Sequence, residues 1–467
     1  MKEDNIYTGI VKYKDIEFTF IFDKNILKLV PPKEKKDEVE YWFMKEIRPG
    51  VYTFGDPIYI KEILCGISNE TGLKIIFMPS YKEVGRINST LLIDIEYYIL
   101  NKYDREKIDR IAIKAPEITY IFPTTQALNK IDWGKDGKMG ISTKPFSETT
   151  TEKEKFSMDE KELFIYFGIS ISSSYKTGES PITLNSTMFV EFEPTDDYEF
   201  IVRLLRILKK FIQYLCYRRN VIFSSVEIAS PTEEGLHETF ATLYYPKEKN
   251  IVEKYPNEKG KFIKYEYIKG CMGQIIDDIV SNNIYMEHIP ETYEFGRHIN
   301  AGKFVMITAA YEWEFKRNYP NGIAKTPRTI EAEKKVNKSI ARSIKRNTGK
   351  AKEIFKFLKK LISVDNFESR IVQYGKDYGN VSDVFGNHLY SLNNEELDYR
   401  EMGKRLAEQR NHFAHGDIDK EFIGLSLLDL IYLEYIIYIM QLKFYEVSED
   451  NIKRAINDLF GCNIALQ

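Results

Sequence analysis

Hydrophobic and polar positions alternate strictly early in the chain. Ile16, Phe18, Phe20 and Phe22 recur at period two with Glu17 and Thr19 between them, the pattern of a half-buried strand. Asn5 to Val11 lies just ahead and Lys14-Asp15 is a turn pair, so an early hairpin is expected. Further strands are predicted at Lys74–Met78, Leu91–Tyr97, Arg110–Lys114, Ile118–Phe122, Leu163–Ser172 and Met188–Glu193. Pro79, Pro116 and Pro123 punctuate their ends, where a missing donor does least harm to a ladder. From Asp132 to Glu160 the chain is polar, with Gly134, Gly137, Gly140 and the run ETTTEKEK; this reads as a long surface excursion.

The period changes to helical from about Asp196 to Arg218. Ile201, Leu204, Leu205, Leu208, Phe211, Ile212 and Leu215 share a face suited to packing on a sheet, and Thr195 is the expected N-cap. Another strand is expected at Val221 to Ile228. Beyond a boundary near Pro290 the pattern is helical: Phe304 to Tyr319, stopped by Pro320-Asn321-Gly322, then a helix capped by Thr329 and running to about Ser363 with a break near Asn347-Thr348-Gly349. Phe367–Tyr378, Glu395–His415, Gly424–Tyr445 and Asp450–Leu459 follow. The expected fold class is α+β: a strand-rich domain over residues 1–290 and an all-α bundle over 291–467.

Composition refines this picture. The chain has 467 residues, 43% hydrophobic and 29% charged, the profile of a globular protein with sizeable cores. Cys65, Cys216, Cys271 and Cys462 are too scattered for a zinc knuckle and suit a reducing cytoplasm. No cofactor is expected, and the N-terminus has no apolar signal core. Phe422 to Leu442 is nearly continuous apolar sequence, but Asp429, Glu434 and Gln441 interrupt it, so a buried helix is expected rather than a membrane span. Its apolar residues, Leu425 to Ile437, surround the helix almost completely, and part of that surface is assigned to a dimer interface. Net charge is only −3, yet Lys303 to Lys360 holds 16 Lys or Arg against five acids, a local +11 that leaves −14 for the rest. Such asymmetry is consistent either with solvated helix faces or with a polyanion partner. Lys334, Lys335, Lys345 and Arg346 are the basic residues placed to guide RNA in the second case.

The chemistry-bearing segment is RLAEQRNHFAHGD, Arg405 to Asp417. Gly416 is a natural helix stop, which puts His415 in the last turn, where the helix end favours a cation. Asn411 and His415, four apart, share a face. A strict helix sets Arg410 and His415 about 140° apart, so a shared phosphate requires long side chains or a loosened last turn. Arginine, amide and imidazole suit metal-independent RNA cleavage: a base takes the ribose 2′-OH proton, an acid protonates the leaving 5′-oxygen, and a guanidinium compensates phosphoryl charge. DNA lacks that hydroxyl. Two acid–base groups are useful and the motif supplies one His, so a homodimer with a composite site is expected. His412, beside Phe413, is read as structural or solvent-facing. His237, His288, His298 and His388 are set aside as non-catalytic.

The Arg-Asn-x-x-x-His pattern near the end of a helical C-terminal region resembles the HEPN ribonuclease motif, Arg-x(4–6)-His. The arrangement resembles the ApeA family of anti-phage proteins, which join a strand-rich N-terminal domain to a HEPN domain. At the N-terminal side the likeness rests on the strand series and on EFIVRLLRILKKFIQYLCYRRNVIF, Glu199 to Phe223, a long helix leading into a strand. The resemblance implies an abortive-infection effector and toxin of the cytoplasm that cleaves RNA without a metal, acts as a homodimer, and takes a phage-derived trigger on its N-terminal domain. Carried over by position, Arg410 clamps phosphate, His415 is acid or base, and Asn411 orients them. Glu312, in AAYEWEF, matches the acidic residue of the family's early helix and is supporting; its plain alternative is an ion pair with a neighbouring base. The competing expectations are a non-catalytic HEPN-fold sensor, or a nucleic-acid-binding dimerisation protein. A nucleotide-transferring module is disfavoured because no Gly-rich phosphate loop is present.

Overall fold

Lys14 and Asp15 both take positive φ, 46° and 61°, the geometry of a two-residue hairpin turn whose twist matches its strands. The structure, a computed structural model, describes residues 6–129, 132–133, 139–140, 142–178, 180–245, 261–361, 365–416 and 422–466. Gly134 and Gly137, expected in the polar excursion, lie outside them. Strands of the main sheet are numbered in chain order. β1 (Tyr7–Tyr13) and β2 (Ile16–Asp23) form the expected hairpin, and β3 (Ile26–Val30) extends it. β4 (Leu64–Ser68) pairs with β1 and with β5 (Lys74–Pro79). β6 (Gly85–Ile87) forms a hairpin with the long β7 (Thr90–Asn101). Leu91 to Asp94 of β7 pair with β3, and Ile95 to Leu100 pair with β5. The ring β7-β3-β2-β1-β4-β5 therefore closes into a six-stranded barrel without free edges. Phe18, Phe20, Phe22, Leu27 and Phe77 fill it. A Cβ at Gly9 would stand 2.0 Å from the Ile67 carbonyl and 2.6 Å from the Phe20 ring, so only glycine admits this close approach.

The far end of β7 continues into an open antiparallel sheet. Its other strands are β8 (Ile108–Lys114), β9 (Glu154–Met158), β10 (Lys161–Ser173), β11 (Ile182–Thr195), β12 (Ser225–Pro231) and β13 (His237–Tyr244), in the order β9-β10-β11-β8-β12-β13-β7. Helices of twelve or more residues are numbered likewise. α1 (Tyr198–Cys216) buries the predicted face from Ile201 to Leu215, and Arg206 reaches both Glu96 oxygens on β7 at 3.0 Å.

Three local expectations are corrected. Ile118–Phe122 is not a strand: Pro116–Ile121 is a helix, because Pro116 occupies the first helical position after an extended Ala115. Thr195 ends β11; the cap of α1 is Asp197, whose Oδ1 accepts the Phe200 N–H at 2.9 Å, while Thr195 Oγ1 accepts from Asp197 N–H at 3.2 Å. The polar excursion contains β9, where Phe156 and Met158 are buried at period two beneath a charged run.

The chain forms two compact units: 1–213, 220–252 and 272–280 in the first, and 214–219, 253–271 and 281–467 in the second. In place of one boundary near Pro290, the chain thus passes between the units several times. The second unit holds α2 (Ala301–Asn318), α3 (Pro327–Arg346), α4 (Gly349–Leu361), α5 (Phe367–Ser391), α6 (Tyr399–Ala414), α7 (Ser426–Phe444) and α8 (Glu449–Phe460). Thr326, not Thr329, caps α3, with Pro327 following it and the Thr329 N–H on its hydroxyl. The break before α4 falls at Asn347, which turns extended. α5 runs past Tyr378 to Ser391 because Val381, Phe385 and Tyr390 prolong its buried face.

α7 is the central helix. It packs on α2, α5, α6 and α8, and every residue from Tyr432 to Leu442 is buried within the chain. The bundle itself thus covers the C-terminal part of the apolar circumference, Leu430, Leu433, Ile436 and Ile437 among it, while Leu427, at the start of the helix, stays exposed and Leu425, Leu428 and Ile431 are half-buried. Each polar interruption has a partner: Arg405 and Tyr390 bind Asp429, Tyr217 and Lys303 bind Glu434, and Gln441 Nε2 donates to Glu314 at 3.0 Å. Among the described residues no helix is long and apolar enough to cross a membrane.

Candidate functional site

The last turn of α6 is held from two sides. Asp398 caps its start, accepting the Arg400 and Glu401 N–H groups at 2.8 and 3.1 Å. Phe413 is buried near its end, its ring 5.4 Å from Phe304 and 5.6 Å from Phe422. Gln409 Oε1 accepts the Ile423 N–H at 2.6 Å and the Ser426 hydroxyl at 3.2 Å, tying α6 to the start of α7. Gly416 takes φ +93°, so the helix stops where expected, and His415 leaves helical geometry at φ −89°, ψ 3°. Its N–H still donates to the Asn411 carbonyl at 3.1 Å. Both side chains are exposed.

Arg410 meets two partners from other helices. Its Nη2 donates to Glu312 Oε2 at 2.6 Å, and Arg370 Nη1, from the first turn of α5, donates to Glu312 Oε1 at 2.9 Å. The carboxylate is 22% exposed and spans two guanidiniums, from α5 and α6, against its own helix α2. Two cations on one anion leave the cluster with a formal +1. Charge-assisted bonds of this kind orient a guanidinium strongly. Among the described residues no hydrogen bond joins Arg410 to His415, which stands about 7.5 Å further along the axis by helix rise.

Arg410 and Glu312 are thus in contact, Asn411 and His415 lie beyond them on the same helix end, and Arg370 is an addition. Nothing in FESRIV distinguishes Arg370 from a solvated helical cation; only the packing of α5 beside α2 gives it a role. The basic residues are elsewhere. Lys334, Lys335, Lys345 and Arg346 are exposed on α3, whose substantial helix contact is with α4, and Lys335 pairs locally with Glu331 at 2.9 Å. Ile323 N–H donates to Asp365 Oδ2 at 2.9 Å, tying the two ends of this α3–α4 hairpin.

A separate polar cluster lies on the open sheet. His237 Nδ1 is 2.7 Å from Asp109 Oδ2 and its Nε2 is 3.3 Å from Glu191 Oε1, which also accepts the Tyr166 hydroxyl at 2.6 Å. Burial outweighs its cationic neighbours and raises the Asp109 carboxyl above its ordinary value. Among the described residues no group of three or more His, Cys, Asp or Glu is placed to hold a metal ion. No family model, no curated protein and no solved structure matches the chain.

Proposed function

We propose that the second unit is a HEPN-like endoribonuclease and that the chain is an anti-phage effector of the ApeA type, its strand-rich unit sensing the trigger. The observation that carries the reading is the end of α6, where Arg410, backed by Glu312 and Arg370, precedes an exposed His415. The surplus positive charge of the arginine pair suits a bridging phosphate. One imidazole removes the proton from the ribose 2′-OH, whose oxygen attacks the adjacent phosphorus. The P–O5′ bond breaks, a second imidazole gives the 5′-oxygen its proton, and a 2′,3′-cyclic phosphate remains. His415 of a second copy supplies that second imidazole, with both sets meeting across a twofold axis. Asn411 orients the pair, and the basic face of α3 draws in the strand.

Purified protein should cut RNA in EDTA, and His415→Ala should lower the rate by about 10²–10⁴. Unchanged cleavage by the variant removes His415 from the chemistry. Absence of cleavage by the unaltered dimer, with RNA binding intact, selects the second reading, a nucleic-acid-binding module. What favours that second reading is the exposed basic face of α3, which packs chiefly on α4 and not on α6.

A further inference from the structure

Within the second unit, away from α6, a cavity of about 290 Å³ opens among Tyr217, Lys261, Tyr293, Arg297, Glu434 and Phe460. Two cations converge on one ring there. Lys261 Nζ lies 4.3 Å from the Tyr293 centroid and the Arg297 guanidinium carbon 4.7 Å from it. Arg297 Nη2 also donates to the Tyr293 hydroxyl at 2.9 Å, and Lys261 Nζ donates to the Phe460 carbonyl at 3.2 Å. Among the described residues neither cation has a carboxylate partner. The nearby Asp458 is taken by Lys264 at 2.9 Å and by the Tyr267 hydroxyl at 2.8 Å. Lys261 is held in left-handed backbone, φ +88°, a conformation that costs free energy outside glycine and recurs at ligand sites. Burial pushes the Tyr293 hydroxyl up, but hydrogen bonding to Lys261 and Arg297 outweighs it and holds the group below its ordinary value. Like charges gathered without a counter-ion are an anion site.

The rest of the cavity has a different chemistry. Tyr217 and Tyr435 stand 5.3 and 4.5 Å from the Phe460 ring, giving an aromatic wall. Glu434 is buried beside it; the Tyr217 hydroxyl and Lys303 Nζ both reach Oε1, which leaves Oε2 open for a donor. Lys303, 3.3 Å away, compensates the carboxylate, so an anion at the opposite end is not repelled by an unpaired charge.

We propose that this cavity binds a nucleoside monophosphate, either free or as the 5′ end of an RNA: phosphate on Lys261 and Arg297, base along the Tyr217–Phe460–Tyr435 wall, base N–H groups on Glu434. Guanine fits the last contact best, because its N1–H and 2-amino group present two adjacent donors on one edge that can share the open Oε2. The proposal stands apart from RNA cleavage, and His415→Ala protein should bind equally well.

Isothermal titration of the full chain with GMP, AMP, CMP, UMP, inorganic phosphate and a 5′-phosphorylated oligoribonucleotide tests it. GMP should bind most tightly, Arg297→Ala and Lys261→Ala should each weaken binding about tenfold or more, and Glu434→Gln should erase the preference among bases. Arg297 is exposed, so its variant folds even if Glu434→Gln does not. Tighter binding of the oligonucleotide than of GMP identifies an RNA end as the source; the reverse identifies the free nucleotide. The proposal is overturned if no nucleotide binds at millimolar concentration, if inorganic phosphate binds as tightly as GMP, or if both cation variants bind unchanged.

Discussion

Arg405 and Arg410 both leave α6 toward a carboxylate on a neighbouring helix, and the two junctions are built differently. Arg405 places Nε and Nη2 on the two Asp429 oxygens at 2.7 and 2.8 Å, and Tyr390 adds its hydroxyl; Asp429 is fully buried. One cation meets one anion, and both carboxylate oxygens are satisfied. At Glu312 two cations share one half-buried anion, and the site faces solvent. The first junction is closed in charge and in hydrogen bonding, as a structural tie between helices must be. The second carries unspent positive charge on the same helix end as an exposed imidazole, which is what the proposed phosphodiester site requires.

The largest effect should come from breaking the closed junction. Asp429→Ala leaves Arg405 without its buried counter-ion and Tyr390 without its acceptor. Removing one partner of such a pair typically costs ~3–5 kcal/mol. Urea unfolding should show a midpoint lowered accordingly, and any loss of activity should follow the unfolded fraction. A midpoint that hardly moves would mean that the tie between α6 and α7 is dispensable and that the two junctions do not differ in their structural role.

Opening the other junction should cost less stability and change function more directly. Glu312→Gln keeps one acceptor for the two guanidiniums and removes the charge between them. The expected loss is about 1–2 kcal/mol, in the range of a charged hydrogen bond. On the proposed ribonuclease reading Glu312 acts through Arg410 as a positioning residue, so kcat for RNA cleavage should fall about tenfold while KM stays level or drops, because the cluster is now more positive. A rise in KM with kcat unchanged would instead make Glu312 part of the binding surface, and Glu312→Asp should restore part of kcat only if position is what matters.

These two junctions also show how much could be read from residues alone. The early hairpin was legible because its period and turn pair are local, and Gly416 as the stop of α6 was legible because a single glycine carries the signal. Closure of the barrel was not: it depends on one strand, β7, pairing both with its near neighbour β5 and with β3, which is distant in the chain. Glu312 was legible only as a match to a resemblance, with an ion pair as the plain alternative, and that ion pair is present. Arg370 was invisible because its role exists only where α5 lies beside α2. The apolar circumference of α7 was legible as apolar, but which part the bundle covers was not: Tyr432 to Leu442 are buried within the chain while Leu427 stays exposed, a division that depends on the neighbouring helices and not on the helix's own residues.

The α3–α4 hairpin marks the other end of the same contrast. α3 has no buried residue, and its cations are balanced only in part: Lys335 pairs with Glu331, while Glu333 is taken by Lys325 just ahead of the helix. Removing charge there should leave folding almost untouched, within about 0.5 kcal/mol as for other surface changes. Its effect should appear in the salt dependence of RNA binding. Each cation that neutralises a phosphate on a single strand contributes about 0.7 to the slope of log K against log salt. The variant with Lys334, Lys335, Lys345 and Arg346 all changed to Gln should therefore bind RNA more weakly at low salt and show a shallower slope, by up to about 2.8 if all four make contact. Lys335 is already paired with Glu331, so a reduction nearer three contacts is expected. Binding by this variant with an unchanged slope would move the RNA path off α3 and leave the Arg410–Arg370 pair as its principal electrostatic anchor.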